Sequence, residues 1–108
     1  MREFPDPEVD CFEVCEDGSH SVVKMRHGFV STHLGGKVTF VGSVHGHLAV
    51  ALLHSEERDA NVACADATCF DCVDSSVRGK VVLVREDDDT GLPVNVDTEC
   101  LVTYFSSV

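Results

Sequence analysis

The chain lacks the long apolar runs that mark membrane-spanning and secreted proteins. No uninterrupted apolar stretch approaches the ~20 residues that a helix needs to cross a bilayer. The acidic N-terminus carries no apolar core of the kind that a signal peptide requires. We therefore expect an intracellular protein with no membrane partner. Its 108 residues suit one domain and leave no room for two ordinary ones.

Basic side chains are also scarce, because eight Lys and Arg stand against 19 Asp and Glu, for a formal net charge of -11. The excess acid lies at the two ends of the chain. Residues 1–17 and residues 86–108 each carry a net charge of -6, whereas residues 18–85 carry +1. Acidic ends typically stay solvated and repel polyanions. The nearly neutral middle shows no strong electrostatic footprint, but it can bind RNA if its basic residues converge.

Cysteine is plentiful by comparison, with six residues whose roles stay open. Disulfides are not expected, because nothing in the sequence points to secretion. The pairs Cys11/Cys15 and Cys69/Cys72 could together supply four thiolates to a zinc ion. We predict no metal and no cofactor, and keep a small zinc-binding domain as an alternative. In the simpler interpretation the cysteines are small buried apolar residues, notably Cys64, Cys69 and Cys100.

The first regular element predicted from the pattern is a helix. From Val22 to Leu34 apolar residues recur at near-helical spacing, and the pair Gly35-Gly36 is a helix stop signal. This spacing predicts a helix over about 20–34.

Beyond Gly36 the period becomes that of strands. In one run Leu48, Val50 and Leu52 fall on one side and Ala49 and Ala51 on the other, so that strand is expected to be buried on both faces. We predict an all-β fold with an N-terminal helix. The β-type runs are KVTFVG, HLAVALLHS, NVACADATCF, KVVLVRE, LPVNV and CLVTYF.

These elements and the charge distribution divide the chain into three parts. Residues 1–19 form an acidic N-terminal arm. Residues 20–86 form the domain with its N-terminal helix. Residues 87–108 form an acidic C-terminal segment, which could instead supply the last two strands.

One stretch of the domain has a specific spacing. The helix end and first strand, FVSTHLGGKVTF, precede a tight His45-Gly46 turn, and Asn61 follows fifteen residues after Gly46. A β-type run that includes Asp66 comes next. This order resembles the first half of the Sm and Sm-like (LSm) family of RNA-binding proteins. The resemblance implies a small, strongly bent five-stranded Sm-like (SH3-like) barrel.

A second family motif, an apolar residue followed by Arg-Gly and an apolar strand, resembles Arg78-Gly79 and the run that follows. A rival alignment puts residues 96–102 in that place, where Asp97-Thr98 replaces Arg-Gly and the RNA site is lost. We favour the first placement because Arg78-Gly79 has the right local context. The hairpin before it is then very short.

The resemblance implies a function that is not enzymatic. Family members form hetero-oligomeric, usually heptameric, rings by pairing strand edges with other Sm or Sm-like subunits. Such rings bind uridine-rich single-stranded RNA in pre-mRNA splicing or mRNA decay, in the nucleus or the cytoplasm. By resemblance, Asn61 would read a uracil edge, Arg78 would stack, and Gly79 would allow close approach. Asp59 stands where the family often has a stacking residue, and Arg58 could supply a stacking plane instead.

Other interpretations remain open at this stage. The chain could be an Sm-fold interaction and assembly subunit without an RNA site, as in Gemin-type factors. Asn61 could merely cap a turn, and Arg78 could be a surface residue before a turn glycine. Catalysis is not expected, because no orienting base accompanies the thiols of Cys69 or Cys72.

Overall fold

The computed structural model describes residues 8–44, 46–52, 57–59, 61 and 78–106. Short strands dominate this part of the chain, together with two short α-helices and one turn of 3-10 helix, His27–Phe29. The α-helices are α1 (Val30–Leu34) and α2 (Thr98–Ser106). The strands are β1 (Val9–Val14), β2 (His20–Met25), β3 (Val38–Val44), β4 (His47–Leu52), β5 (Val81–Glu86) and β6 (Pro93–Val94).

The strands form one antiparallel sheet in the order β2-β1-β5-β4-β3, and β6 pairs with the end of β5. The prediction of a mainly β fold is therefore confirmed. Among the described strands the sheet is open, with β2 and β3 at its two ends. The bent five-stranded barrel stays a prediction.

Alternation of side chains along the strands builds an apolar layer on each face of the sheet. The α1 face is covered by α1, and its buried residues are Val9, Cys11, Met25, Val30, Leu34, Val82 and Val84. The α2 face is covered by α2, and its buried residues are Phe12, Val14, Ala49, Ala51, Val81, Leu83, Val96, Leu101 and Phe105. The predicted two-faced packing of β4 is confirmed, and its alanines leave room for the larger side chains of α2.

The predicted helix over 20–34 is wrong in its first half, because His20–Met25 is a strand. This segment pairs with β1 along its whole length, from Val14 opposite His20 to Val9 opposite Met25. Its β-branched residues suit a strand, and a partner strand outweighs a weak helical period. The second half is confirmed as α1, which ends at Gly35 in the left-handed conformation (φ 93°), with its N–H bonded to Ser31 and Thr32 carbonyls.

Both acidic ends also differ from their predicted form. Val9–Val14, placed in the arm by the sequence, lies inside the sheet between β2 and β5. Its acids obscured an alternation in which Val9 and Cys11 face α1 while Phe12 and Val14 face α2. Near the other end the chain forms only the two-residue strand β6 and then a helix.

The run CLVTYF was predicted to be a strand and is instead part of α2. The Asp97 carboxylate accepts the Cys100 N–H at 3.1 Å, which caps the helix N-terminus. Leu101 and Phe105, four residues apart, then fall on one buried face. Burial of that face outweighs the β-type composition of the run.

The predicted hairpin between the first two strands after α1 is present as β3 and β4, and of its two linking residues the structure describes Gly46. Val44 pairs with His47, so two residues connect the strands, and Gly46 has a φ of 81°. Positive φ is what such a tight hairpin requires, and glycine adopts it without strain. The predicted strand NVACADATCF lies outside the described residues, apart from Asn61.

Candidate functional site

The five residues singled out by spacing lie together, at the end of the sheet where β1 finishes and β5 begins. Gly79 N–H donates to the Asp59 carbonyl at 2.9 Å. Arg78 Nη1 donates to the Arg58 carbonyl at 3.1 Å. The Asn61 amide nitrogen donates to the Gly79 carbonyl at 2.9 Å. Two segments nearly twenty residues apart are thereby joined into one surface, which we call the Arg58/Arg78 surface.

Asn61 has a structural position on this surface. Its side chain is fully buried, and its amide nitrogen also donates to the Val14 carbonyl at 3.0 Å. An amide nitrogen has two protons to give, so both are committed to backbone carbonyls. The geometry therefore ties the loop to β1 and matches the turn-capping alternative for Asn61 better than contact with a base.

Gly79 is required by its own backbone and by its neighbour. Its φ of 78° lies in the left-handed region, which other residues rarely adopt. An added Cβ would also meet Arg58 Cγ at 3.3 Å and Arg58 Cβ at 3.4 Å. The absence of a side chain at Gly79 therefore accommodates Arg58, and the close approach of RNA at Gly79 stays a prediction.

Arg58, Asp59 and Arg78 are exposed and form the accessible part of the surface. The guanidinium groups of Arg58 and Arg78 can donate to phosphate oxygens or stack on planar rings. Asp59 sits between them in the chain and lowers the local positive charge. The surface therefore presents two planar cations around one carboxylate.

A buried carboxylate next to this surface was not predicted. Glu13 is 8 % exposed, and its Oε2 lies 2.5 Å from His33 Nε2. Its Oε1 lies 3.6 Å from Lys80 Nζ and accepts the Cys15 thiol at 3.5 Å. Only the apolar alternation of β1, which places residue 13 on the inner α1 face, could have drawn attention to it.

The charges around Glu13 keep it ionised. Burial alone would raise its pKa, but hydrogen bonds from His33 and Cys15 and the charge of Lys80 outweigh burial, so the pKa lies below its usual value. Glu13 therefore links β1, α1 and the start of β5 through one negative charge.

The two cysteines of β1 and its following turn are poorly suited to thiolate chemistry. Burial among apolar side chains, with a further contribution from Asp10, raises the pKa of Cys11 to about 11. Burial, and then the hydrogen bond and charge of Glu13, raise the pKa of Cys15. Both shifts disfavour the thiolate, which is the nucleophilic form of cysteine. The other proposed pair, Cys69 and Cys72, lies outside the described residues.

The rival placement of the Arg-Gly motif at residues 96–102 does not lead into a strand. Asp97 and Thr98 open helix α2, and the Asp97 carbonyl accepts the Leu101 N–H at 3.1 Å. By contrast Arg78-Gly79 leads directly into β5 at Val81. The local context predicted for the motif is therefore met at Arg78.

The opposite end of β5 carries an acidic cavity of about 330 Å³. Buried His47 lies in its wall and accepts the Asp97 N–H at Nε2, at 2.9 Å. Carboxylates at this end repel phosphate and other anions. The other residues that line the cavity are Gly46, Arg85, Glu86, Asp87, Asp88, Val94 and Asp97.

Comparison of the chain with known protein families, with characterised proteins and with solved structures finds no match. Within the described ranges no helix is both long and apolar enough to cross a bilayer. The same ranges hold no group of three or more His, Cys, Asp or Glu side chains placed to bind a metal ion.

Proposed function

We propose that this chain is an Sm-like subunit of a hetero-oligomeric ring that binds uridine-rich single-stranded RNA through the Arg58/Arg78 surface. The observation that supports the proposal is that the five residues indicated by the family resemblance lie together in the fold. A backbone hydrogen bond joins Gly79 N–H to the Asp59 carbonyl, and the Arg78 side chain donates to the Arg58 carbonyl. By the resemblance, such a ring acts in pre-mRNA splicing or mRNA decay.

Within the proposed site, two residues contact the RNA and two others hold them in place. Arg58 and Arg78 are exposed and supply charge and stacking planes to the RNA. Asn61 and Gly79 are buried and hold together the two segments that carry the arginines. This division differs from the one that the resemblance implies, in which Asn61 itself reads the base.

The ends of the open sheet support assembly with other subunits. Among the described residues β2 pairs only with β1, and β3 pairs only with β4. Unpaired backbone groups at a sheet edge bind a further strand readily. Neighbouring ring subunits are the partners that the proposal assigns to these edges.

The test is binding of an oligouridylate by the complex that contains this subunit, measured by fluorescence anisotropy. The double variant Arg58→Ala/Arg78→Ala should weaken binding about tenfold or more, as loss of base stacking and phosphate contact does elsewhere. Arg85→Ala is the matched control, because it removes an exposed arginine at the acidic end. Equal affinity of the double variant and the wild type would contradict the RNA site.

The second candidate is an Sm-fold assembly subunit that contacts proteins alone. The specific observation in its favour is that both amide protons of Asn61 are used within the protein. In that case the double variant would leave RNA affinity of the complex unchanged, while the subunit would still co-purify with its partners. The zinc-binding alternative has less support, since Cys11 packs in an apolar cluster.

A further inference from the structure

Acid is absent from one long stretch of this acidic chain. Residues 18–55 contain no Asp or Glu, although the whole chain has 19. The same stretch holds all six histidines and three of the eight Lys and Arg residues. Residues 18–55 therefore carry a net charge of +3 with neutral histidines, whereas the other five Lys and Arg residues lie in the parts of the chain that contain the acids.

The central part of this stretch lies across the α1 face of the sheet. Residues 26–37 run from β2 at one end of the sheet to β3 at the other, and their apolar side chains Val30 and Leu34 point inward. Arg26, His33 and Lys37 are exposed on the outside of this covering segment. A cationic surface thus overlies the α1 face.

Two phenylalanines are exposed on the same side of the sheet. Phe29 is 54 % exposed at the start of α1, and Phe40 is 60 % exposed on β3. Phe40 pairs with Val50, whose side chain packs in the α1-face layer, so Phe40 also lies on that face. Exposed aromatic rings among cations are the elements with which proteins hold single-stranded nucleic acid.

This surface continues into the Arg58/Arg78 surface through Glu13. His33 of α1 binds one carboxylate oxygen of Glu13 at 2.5 Å, and Lys80 lies 3.6 Å from the other. Lys80 follows Arg78-Gly79 directly in the chain. Basic side chains, His33 and Lys80, therefore lie on either side of buried Glu13, between the two surfaces.

We infer that the α1 face is a second nucleic-acid contact surface, on which a single strand leaving Arg58 and Arg78 continues. Phe29 and Phe40 stack on bases, and Arg26 and Lys37 bind phosphates. The inference rests on the proposed function, whose RNA it extends over the outside of α1.

The test measures affinity of the assembled complex for an oligouridylate of about 12 nucleotides, a length in the range of single-strand sites. Phe29→Ala and Phe40→Ala should each weaken binding about tenfold, and Phe29→Trp should restore wild-type affinity because it keeps a stacking ring. Val102→Ala is the control for removal of an exposed apolar side chain, since Val102 lies on α2, on the opposite face.

Two lysines provide a matched pair for the charge contribution. Lys37 lies on the segment that covers the α1 face, whereas Lys24 pairs with Asp10 in β1 and alternates away from Val23 and Met25, onto the α2 face. Lys37→Ala should weaken binding and reduce the slope of log affinity against log salt by about 1. Lys24→Ala should leave both quantities at their wild-type values.

Three results would overturn the inference. Equal effects of Lys37→Ala and Lys24→Ala would assign the contribution to net charge alone. Wild-type affinity in Phe29→Ala and Phe40→Ala, with binding still lost in Arg58→Ala/Arg78→Ala, would refute the α1-face contact and leave the proposed function standing. Binding of phosphatidylserine vesicles without RNA binding would identify the surface as a membrane contact and refute both.

Discussion

At the scale of single residues, the two segments that carry Arg58 and Arg78 are held together by a few hydrogen bonds to backbone carbonyls. Asn61 is fully buried and bonds to the carbonyls of Val14 and Gly79. Gly79 adopts a conformation and a proximity to Arg58 that no other residue accommodates well. These two residues hold the two arginine-bearing segments together, and the proposed function assigns the RNA contacts to the arginines.

Gly79→Ala should therefore destabilise the protein more than an ordinary turn substitution. A left-handed φ costs a non-glycine residue roughly 1–2 kcal/mol, and the new Cβ also meets Arg58. Gly91→Ala is the matched control, because its φ of 71° brings the same strain while nothing lies within 4 Å of the added Cβ. Urea denaturation measures both, and an equal loss in the two variants would show that the Arg58 contact has no energetic role.

The pH dependence of stability follows from Glu13, also at the residue scale. Its pKa is lower in the folded protein than in the unfolded chain, so its ionised form stabilises the fold at neutral pH. That stabilisation is lost as the pH falls through the ordinary carboxyl value of about 4.3 and below. Glu13→Gln should be less stable than the wild type at pH near 7 and should show a smaller further loss on acidification.

Denaturation midpoints recorded across this acidic range measure the effect. Glu99→Gln is a suitable control, because its carboxyl is exposed on α2 and distant from His33 in the fold. If the denaturation midpoints of the wild type and Glu13→Gln fell equally with pH, the Glu13 contacts would make no net contribution to stability.

At the scale of elements, the sequence predicted correctly those segments whose local residue pattern favours only one kind of secondary structure. The runs at β3, β4 and β5 were predicted to be strands, and all three are strands in the structure. The glycine pair at 35–36 was predicted to end a helix, and α1 ends there. Each of these rests on local signals: an apolar run, a turn glycine or a helix stop.

Elements that depend on distant partners could not be predicted in this way. His20–Met25 has a helical period but pairs with β1, and β1 itself is acidic enough to resemble a solvated arm. CLVTYF has strand composition, yet α2 buries Leu101 and Phe105 against residues from β1, β4 and β5. Burial of these segments is determined by neighbours that a local window does not contain.

Helix α2 should be sensitive to its cap. Asp97→Ala removes the carboxylate that accepts the Cys100 N–H, and loss of an N-cap typically costs about 1 kcal/mol. Asp88→Ala removes a carboxylate of the same acidic end that is not at a helix terminus. The difference between the two variants in urea denaturation isolates the cap, and no difference would mean that α2 is held by packing alone.

At the scale of the whole molecule, charge is separated along the axis of β5. The Arg58/Arg78 surface lies where β5 begins, and the acidic cavity lies where it ends. The family resemblance related positions 58–61 to positions 78–79, and the structure shows that these two segments are in contact. The resemblance did not predict the role of Asn61, because that role depends on Val14, which is 47 residues away in the chain.

Under the proposed function, the sheet that is open at β2 and β3 among the described residues would be completed by neighbouring subunits, and the resulting ring would hold the RNA. A subunit that stays alone in solution would have no such ring in which to bind it.

Native mass measurement of the purified complex with an oligouridylate tests this account most directly. We expect an oligomer that contains this chain together with other subunits and gains the mass of one RNA strand. A stable monomer of 11.7 kDa that gains no RNA would contradict both the ring and the RNA site.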